Sequence, residues 1–172
     1  MVTPLCEEKL AGRRVHWLED EAAFRSALGE MEALLALRPP RELWAGAHRL
    51  RLIQTAGAGV DAVLPAPDLP ASVQLANARG VHAAQMSEFA FAMMLALAKR
   101  IPEALERQRA RKWQMYGPHQ LAGRTCGILG LGAIGAAVAE RARQFGMRVI
   151  ATRRGGAPSP VADEVLPPSG TE

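Results

Sequence analysis

The sequence predicts an α/β fold organised around parallel sheet, and three observations carry that prediction. Apolar runs of strand length alternate with helical patterns from Arg14 onward, the order expected of parallel α/β units. One stretch, Thr125 to Arg154 (TCGILGLGAIGAAVAERARQFGMRVIATRR), reads as strand, glycine turn, helix and strand. A second glycine pair, Gly57 and Gly59, follows another apolar run, at the carboxyl edge of a strand where open α/β sheets bind ligands.

Taken in order, Val2 to Leu5 suits a very short first strand, and Glu7 to Leu10 a turn of helix. Arg14 to Leu18 (RVHWL) alternates and reads as a strand. Glu19 to Leu28 reads as a helix with acids near its start, as the helix dipole favours. Met31 to Leu37 is an apolar run of strand length. Pro39-Pro40 interrupts the chain, and Pro40 suits the first turn of a helix Arg41 to Ala47. Arg51 to Thr55 is the next strand, closed by Ala56-Gly57-Ala58-Gly59-Val60-Asp61. Glycines there allow successive amides to face one concavity, so Ala58 and Gly59 are candidates for holding a carboxylate or phosphate. An ordinary strand-to-helix turn explains the same residues, with Asp61 capping a short helix.

Leu64 to Pro70 is a proline-rich connection, Val73 to Ala76 a strand, and Asn77 to Ala84 a loop. Ser87 to Ile101 is a strong helix, with Glu88 suited to its first turn and Lys99 and Arg100 to its last. Its middle, FAFAMMLALA, is apolar almost all round, so it needs burial on several sides, at a subunit interface, a domain junction or a core. Pro102 to Trp113 continues as a charged helix with a solvated face. Gly117-Pro118 marks a loop, and Ala162 to Leu166 a last short strand.

Within Thr125 to Arg154, Cys126, Ile128 and Leu129 form the apolar run before Gly130-x-Gly132-x-x-Gly135. Gly130 permits a tight turn, Gly132 lets backbone approach a pyrophosphate, and Gly135 lets the helix pack closely. The helix, with Ile134, Val138, Ala142 and Phe145 on one face, ends at Gly146, and Arg148 to Thr152 is a second strand. This is the layout of a dinucleotide-binding unit, with Gly130, Leu131, Gly132, Ala133, Ile134 and Gly135 at the phosphates and the helix N-terminus supplying partial positive charge. An acid about 20 residues past the glycines would hydrogen-bond a ribose 2′-hydroxyl. Eighteen residues past Gly135 stands Arg153, followed by Arg154 and preceded by the Thr152 hydroxyl. A guanidinium pairs with a 2′-phosphate where a carboxylate would repel it, so NADP(H) is expected in preference to NAD(H).

The chain has 172 residues, a net charge of +4 and two cysteines. Cys6 and Cys126 are far apart and form neither a disulfide framework nor a CxxC motif. No apolar run is long enough to span a membrane and none has signal-peptide character, so the cytoplasm is the expected compartment. The basic balance carries no aromatic interleaving or nucleic-acid motif, so a nucleic-acid partner is not expected. His16, His48, His82 and His119 are too scattered to suggest a metal site.

Three ordered stretches, RLRLIQTAGAGVD, NARGVHAAQMSEFAFAMMLALAKR and LAGRTCGILGLGAIGAAVAERARQFGMRVIATRR, resemble the D-isomer-specific 2-hydroxyacid dehydrogenases, in particular the glyoxylate/hydroxypyruvate reductase branch. The resemblance implies a flavodoxin-like substrate domain over residues 1–81, incomplete, and the first part of a Rossmann-type doubly wound parallel sheet over residues 82–172. It implies that the Ala58 and Gly59 amides hold the carboxylate of a small 2-keto or 2-hydroxy acid, and that the Ser87 to Ile101 helix helps form a homodimer. The arginine, histidine and carboxylate that carry hydride chemistry in the family lie in the second half of its cofactor domain. No residue of this sequence matches them, so no catalytic residue is assigned. Two readings follow: an NADPH-dependent reductase of 2-keto acids, by family, or a truncated, non-catalytic dinucleotide-binding remnant.

Overall fold

The computed structural model describes residues 9, 10, 12–39 and 44–168. The chain divides into two compact units, Met1–Ala78 and Arg79–Glu172, and among the described residues each has its own three-stranded parallel sheet. The expected Val2 to Leu5 strand, most of the Glu7 to Leu10 turn and the Pro40-led start of a helix fall outside the described residues.

The first unit comprises α1 (Glu21–Ala27), β1 (Ala33–Ala36), a 3₁₀ turn (Trp44–Gly46), β2 (Leu52–Thr55) and β3 (Gln74–Ala76), with strand order β1-β2-β3. Asp20 starts α1, its Oδ1 accepting from the Ala23 amide at 2.7 Å. In register, Leu34 lies beside Ile53 and Ile53 beside Leu75. Leu34 and Ile53 enter a core with Phe24, Leu28, Trp44, Leu50 and Val63. The Phe24 and Trp44 rings meet edge to face at 5.8 Å, a favoured aromatic geometry.

Two expectations fail in this unit. Arg14 to Leu18 forms no strand: among the described residues the sheet consists of β1, β2 and β3, and Val15 and Trp17 are left exposed. Alternation is necessary for a half-buried strand, but a ladder also needs a neighbouring strand. Asp61 is followed by a single turn rather than a helix, with the Val63 and Leu64 amides both bonding to the Val60 carbonyl.

The second unit comprises α2 (Ala83–Ala98), α3 (Ile101–Arg109), β4 (Thr125–Leu129), α4 (Ala133–Gln144), β5 (Arg148–Thr152) and β6 (Glu164–Leu166). Its strand order is β4-β5-β6. α2 and α4 pack together over a core of Phe91, Cys126, Ile128, Leu131, Ala139, Ala142, Met147, Val149 and Ala151. Phe91 stacks on Phe145 with ring centroids 5.0 Å apart.

The helix expected at Ser87 to Ile101 starts earlier and ends earlier, so Glu88 lies in the second turn of α2 rather than its first. Ser87 is fully buried inside α2, its Oγ bonded back to the Ala83 and Ala84 carbonyls. Pro102 explains the end. It has no N–H to give the Ala98 carbonyl, which accepts instead from the His119 amide at 2.8 Å. Lys99 caps α2, and Arg100 turns left-handed, at φ 55°, before α3. α3 ends at Arg109 rather than Trp113, with Arg111 again at positive φ. Both Arg100 and Arg107 pair with Glu103 and lie over the Tyr116 ring, fixing residues 114–116 against α3.

Candidate functional site

The site is the carboxyl edge of β4 and β5. The two strands pair in register from Thr125↔Arg148 to Leu129↔Thr152, so the glycine turn and Thr152-Arg153-Arg154 emerge side by side. Gly146 delivers the chain to this register. It sits at φ +70° just past α4, its amide bonding to Arg143 O and the Met147 amide to Ala142 O. That pair of bonds is a Schellman closure, with Met147 and Ala142 both in the core.

The three glycines of the turn play different roles. Gly130 has φ +95°, a conformation that side chains resist. Gly135 is required by space: a Cβ there would lie 2.3 Å from the Gly130 carbonyl oxygen and 3.1 Å from Ile128 Cγ2. Gly135 therefore lets α4 close onto the turn itself as well as onto the strand. Gly132 is required by neither. Its φ is −89° and a Cβ would meet nothing within 4 Å. The fold leaves open space at Gly132, directly before the first turn of α4.

Amide bonding sorts the same residues. The Gly130 amide donates to Thr152 Oγ1 at 3.0 Å and the Leu131 amide to the Thr152 carbonyl at 2.8 Å. The Leu131 side chain is buried in the core. These two residues shape the turn, and their amides are committed to the protein. Among the described residues, the amides of Gly132, Ala133, Ile134 and Gly135 have no such partner, and no side chain caps α4. Orphan amides at the positive end of a 12-residue helix are a ready site for anionic oxygen.

Arg153 and Arg154 are exposed at the end of β5. Neighbouring arginines of this unit are paired, Arg141 with Glu88, Arg143 with Asp163 and Arg148 with Glu164. Neither Arg153 nor Arg154 forms an ion pair with a described residue. The Arg153 amide is held by the Leu166 carbonyl at 3.0 Å and the Gly156 amide by the Arg153 carbonyl at 2.9 Å. The backbone at this corner is fixed, while both guanidinium groups remain available.

In the first unit, Ala58 and Gly59 are exposed beyond the carboxyl end of β2. Gly57 is anchored, its carbonyl accepting from Thr55 Oγ1 at 2.9 Å and from the Ala78 amide at 3.0 Å. Neither Gly57 nor Gly59 has positive φ, and a Cβ on either would make only ordinary contacts. The backbone does not demand glycine here, so the bare surface they leave is what distinguishes the loop.

Leu129, in the apolar run before the turn, is 87% exposed on the face of β4 opposite the core that holds Cys126 and Ile128. Two clefts lie away from the glycine turn. One of about 680 Å³ runs between α3 and residues 111–116, and another of about 610 Å³ lies beside His48, Arg51 and Ser72. Among the described residues no three His, Cys, Asp or Glu side chains are grouped to hold a metal ion, and no helix is long and apolar enough to cross a membrane.

Residues 91–167 match the family model for the D-isomer specific 2-hydroxyacid dehydrogenase, NAD binding domain. The glyoxylate/hydroxypyruvate reductase A of Serratia proteamaculans is 37% identical over 121 residues, covering 67% of this chain and 39% of the relative. A D-isomer specific 2-hydroxyacid dehydrogenase family protein from Aeromonas salmonicida superposes with a TM-score of 0.83 at 34% identity, covering 95% of this chain and 53% of that one. An NADPH-dependent glyoxylate/hydroxypyruvate reductase from Sinorhizobium meliloti, solved with NADP and sulfate, superposes at 0.78 with 25% identity, covering 93% of this chain and 50% of that one. The chain thus spans well under half the length of its curated relative and about half that of the solved structures. With its parallel α/β units and its dinucleotide-type glycine turn, the chain belongs to the D-isomer-specific 2-hydroxyacid dehydrogenase family.

Proposed function

We propose that this chain supplies the pyrophosphate and adenosine side of a dinucleotide site that prefers NADP(H) over NAD(H), in an oxidoreductase of small 2-hydroxy and 2-keto acids of the glyoxylate and hydroxypyruvate type. The observation that carries the reading is the juxtaposition at the β4–β5 edge: orphan amides of Gly132 to Gly135 beside the unpaired Arg153 and Arg154. The amides suit phosphate oxygens. Two guanidinium groups where a 2′-hydroxyl reader would carry an acid suit a 2′-phosphate. When bound, the cofactor supplies hydride from its nicotinamide. The residues of this chain hold its other half.

The substrate carboxylate is assigned to the Ala58 and Gly59 amides, in a loop where Gly57 and Gly59 carry no side chain. Residues 1–81 then serve the substrate and residues 82–172 the cofactor. A homodimer through α2 is supported by Met86, Phe89, Met93 and Leu97, which recur at helical spacing and are all exposed. Sedimentation of the 172-residue chain tests this: a dimer that Phe89→Glu converts to monomer is expected, and a monomeric wild type refutes it.

Fluorescence titration with NADPH and NADH tests the cofactor reading. Tighter NADPH binding is expected, and Arg153→Asp inverts the order. An unchanged preference in that variant means the strand end has been misassigned. Oxidation of NADPH with glyoxylate by the 172-residue chain alone would place catalytic groups within it and overturn the assignment of none.

A further inference from the structure

The geometry points to Thr152 as a positioning residue that sets the glycine turn for the dinucleotide, in place of the cofactor-facing hydroxyl its sequence position suggests. This inference rests on the dinucleotide reading above. Thr152 closes the β4–β5 ladder opposite Leu129, and the turn begins one residue beyond the last paired position. Among the described residues the Gly130 amide has no backbone acceptor. Thr152 holds it through its side chain, Oγ1 accepting from the Gly130 amide at 3.0 Å, while its carbonyl takes the Leu131 amide at 2.8 Å. Two successive amides of the turn end on one residue, the Gly130 bond spanning 22 positions.

The position of Gly130 then governs α4. Its carbonyl oxygen occupies the space where a Cβ on Gly135 would stand, so turn and first helical turn are in direct contact. Displacing Gly130 displaces the orphan amides of Gly132 to Gly135. On its other side Thr152 continues into Arg153, whose amide is pinned to Leu166. One side chain thereby ties the phosphate-facing amides to the strand end that carries the arginines. With Oγ1 already accepting, the hydroxyl acts on the turn first. A valine of the same shape leaves the Gly130 amide without that acceptor.

The test uses the 172-residue chain as wild type, Thr152→Val and Thr152→Ser, with NADPH and NADH titrations and hydrogen exchange of the Gly130 amide without ligand. Thr152→Val is expected to weaken both dinucleotides by the same factor, roughly tenfold for one lost hydrogen bond, and to speed Gly130 exchange. Its thermal midpoint falls by only the few degrees that one hydrogen bond carries, because shape and β-branching are kept. Thr152→Ser restores affinity and slow exchange. A loss confined to NADPH would make Thr152 a direct 2′-phosphate contact and overturn the proposal. So would unchanged Gly130 exchange in the valine variant, or no rescue by serine. If the wild type binds neither dinucleotide, the functional reading fails and the positioning role falls with it as a binding device. The exchange measurement then separately shows whether Thr152 fixes the turn.

Discussion

Gly135→Ala is the sharpest perturbation of this edge. The added Cβ would stand 2.3 Å from the Gly130 carbonyl oxygen, 3.2 Å from its carbon and 3.1 Å from Ile128 Cγ2. Two of these three are backbone atoms, which no rotamer change relieves. Relief to ordinary contact needs about 1 Å of movement between the turn and α4. That movement strains the Gly130 and Leu131 bonds to Thr152, at 3.0 and 2.8 Å. Overpacking of this kind costs about 1–3 kcal/mol, and a backbone clash belongs at the upper end. At roughly 4–8 °C per kcal/mol for a domain of this size, the thermal midpoint should fall by about 10 °C or more. Calorimetry or circular dichroism melts of the free chain measure it. Gly132→Ala is the internal control. Its Cβ meets nothing within 4 Å and its φ is −89°, so stability should change by under about 1 kcal/mol, the scale of a helix-cap substitution, while dinucleotide affinity falls. A Gly135→Ala variant as stable as wild type, or a Gly132→Ala variant destabilised equally, would refute the division of roles among the glycines.

Other perturbations have defined outcomes. Asp20→Ala removes the acceptor for the Ala23 amide and should cost about 1 kcal/mol in urea unfolding, with Asp20→Asn or Ser retaining most of it. Asp163 accepts from the Val149 amide at 2.7 Å and pairs with Arg143 at 3.0 Å; Asp163→Ala should therefore destabilise the second unit by about 1–3 kcal/mol, and Arg143→Ala by less. Burial pushes the Cys126 thiol above its ordinary range. The folded state thus holds that proton more tightly than the unfolded chain. Its stabilising effect is complete below the unfolded thiol value, about pH 8.5, and is lost as pH rises through the folded value. Urea midpoints of wild type should accordingly fall more steeply above pH 8.5 than those of Cys126→Ala, and parallel curves would contradict the assignment.

The sequence revealed local order wherever one chemical signal decided it. Arg148 to Thr152 is a strand with the expected bounds because β-branched residues follow Gly146, whose positive φ ends α4 cleanly. The Gly130, Gly132 and Gly135 spacing located the turn, but their roles separate only in three dimensions, where Gly135 meets a carbonyl and Gly132 meets nothing. Features set by distant partners were not legible. Arg14 to Leu18 alternates like a strand yet pairs with no described strand. The long apolar helix breaks at Lys99 because Pro102 withholds an amide, and the freed carbonyl is satisfied by His119, far along the chain. Thr152 read as a cofactor-facing hydroxyl, and only the fold shows its oxygen turned to Gly130. Leu129 belonged to the apolar run by composition, but strand alternation places it on the opposite face from Ile128.

The preference for a 2′-phosphate is measured most directly by calorimetric titration of the 172-residue chain with 2′-phospho-ADP-ribose and ADP-ribose, which need only the half-site described. Charge-assisted bonds from Arg153 and Arg154 should make the phosphorylated ligand bind roughly 10- to 100-fold more tightly, an advantage that Arg153→Ala reduces and added salt weakens. Equal affinities for the two ligands, or an advantage indifferent to both arginines, would contradict the assignment.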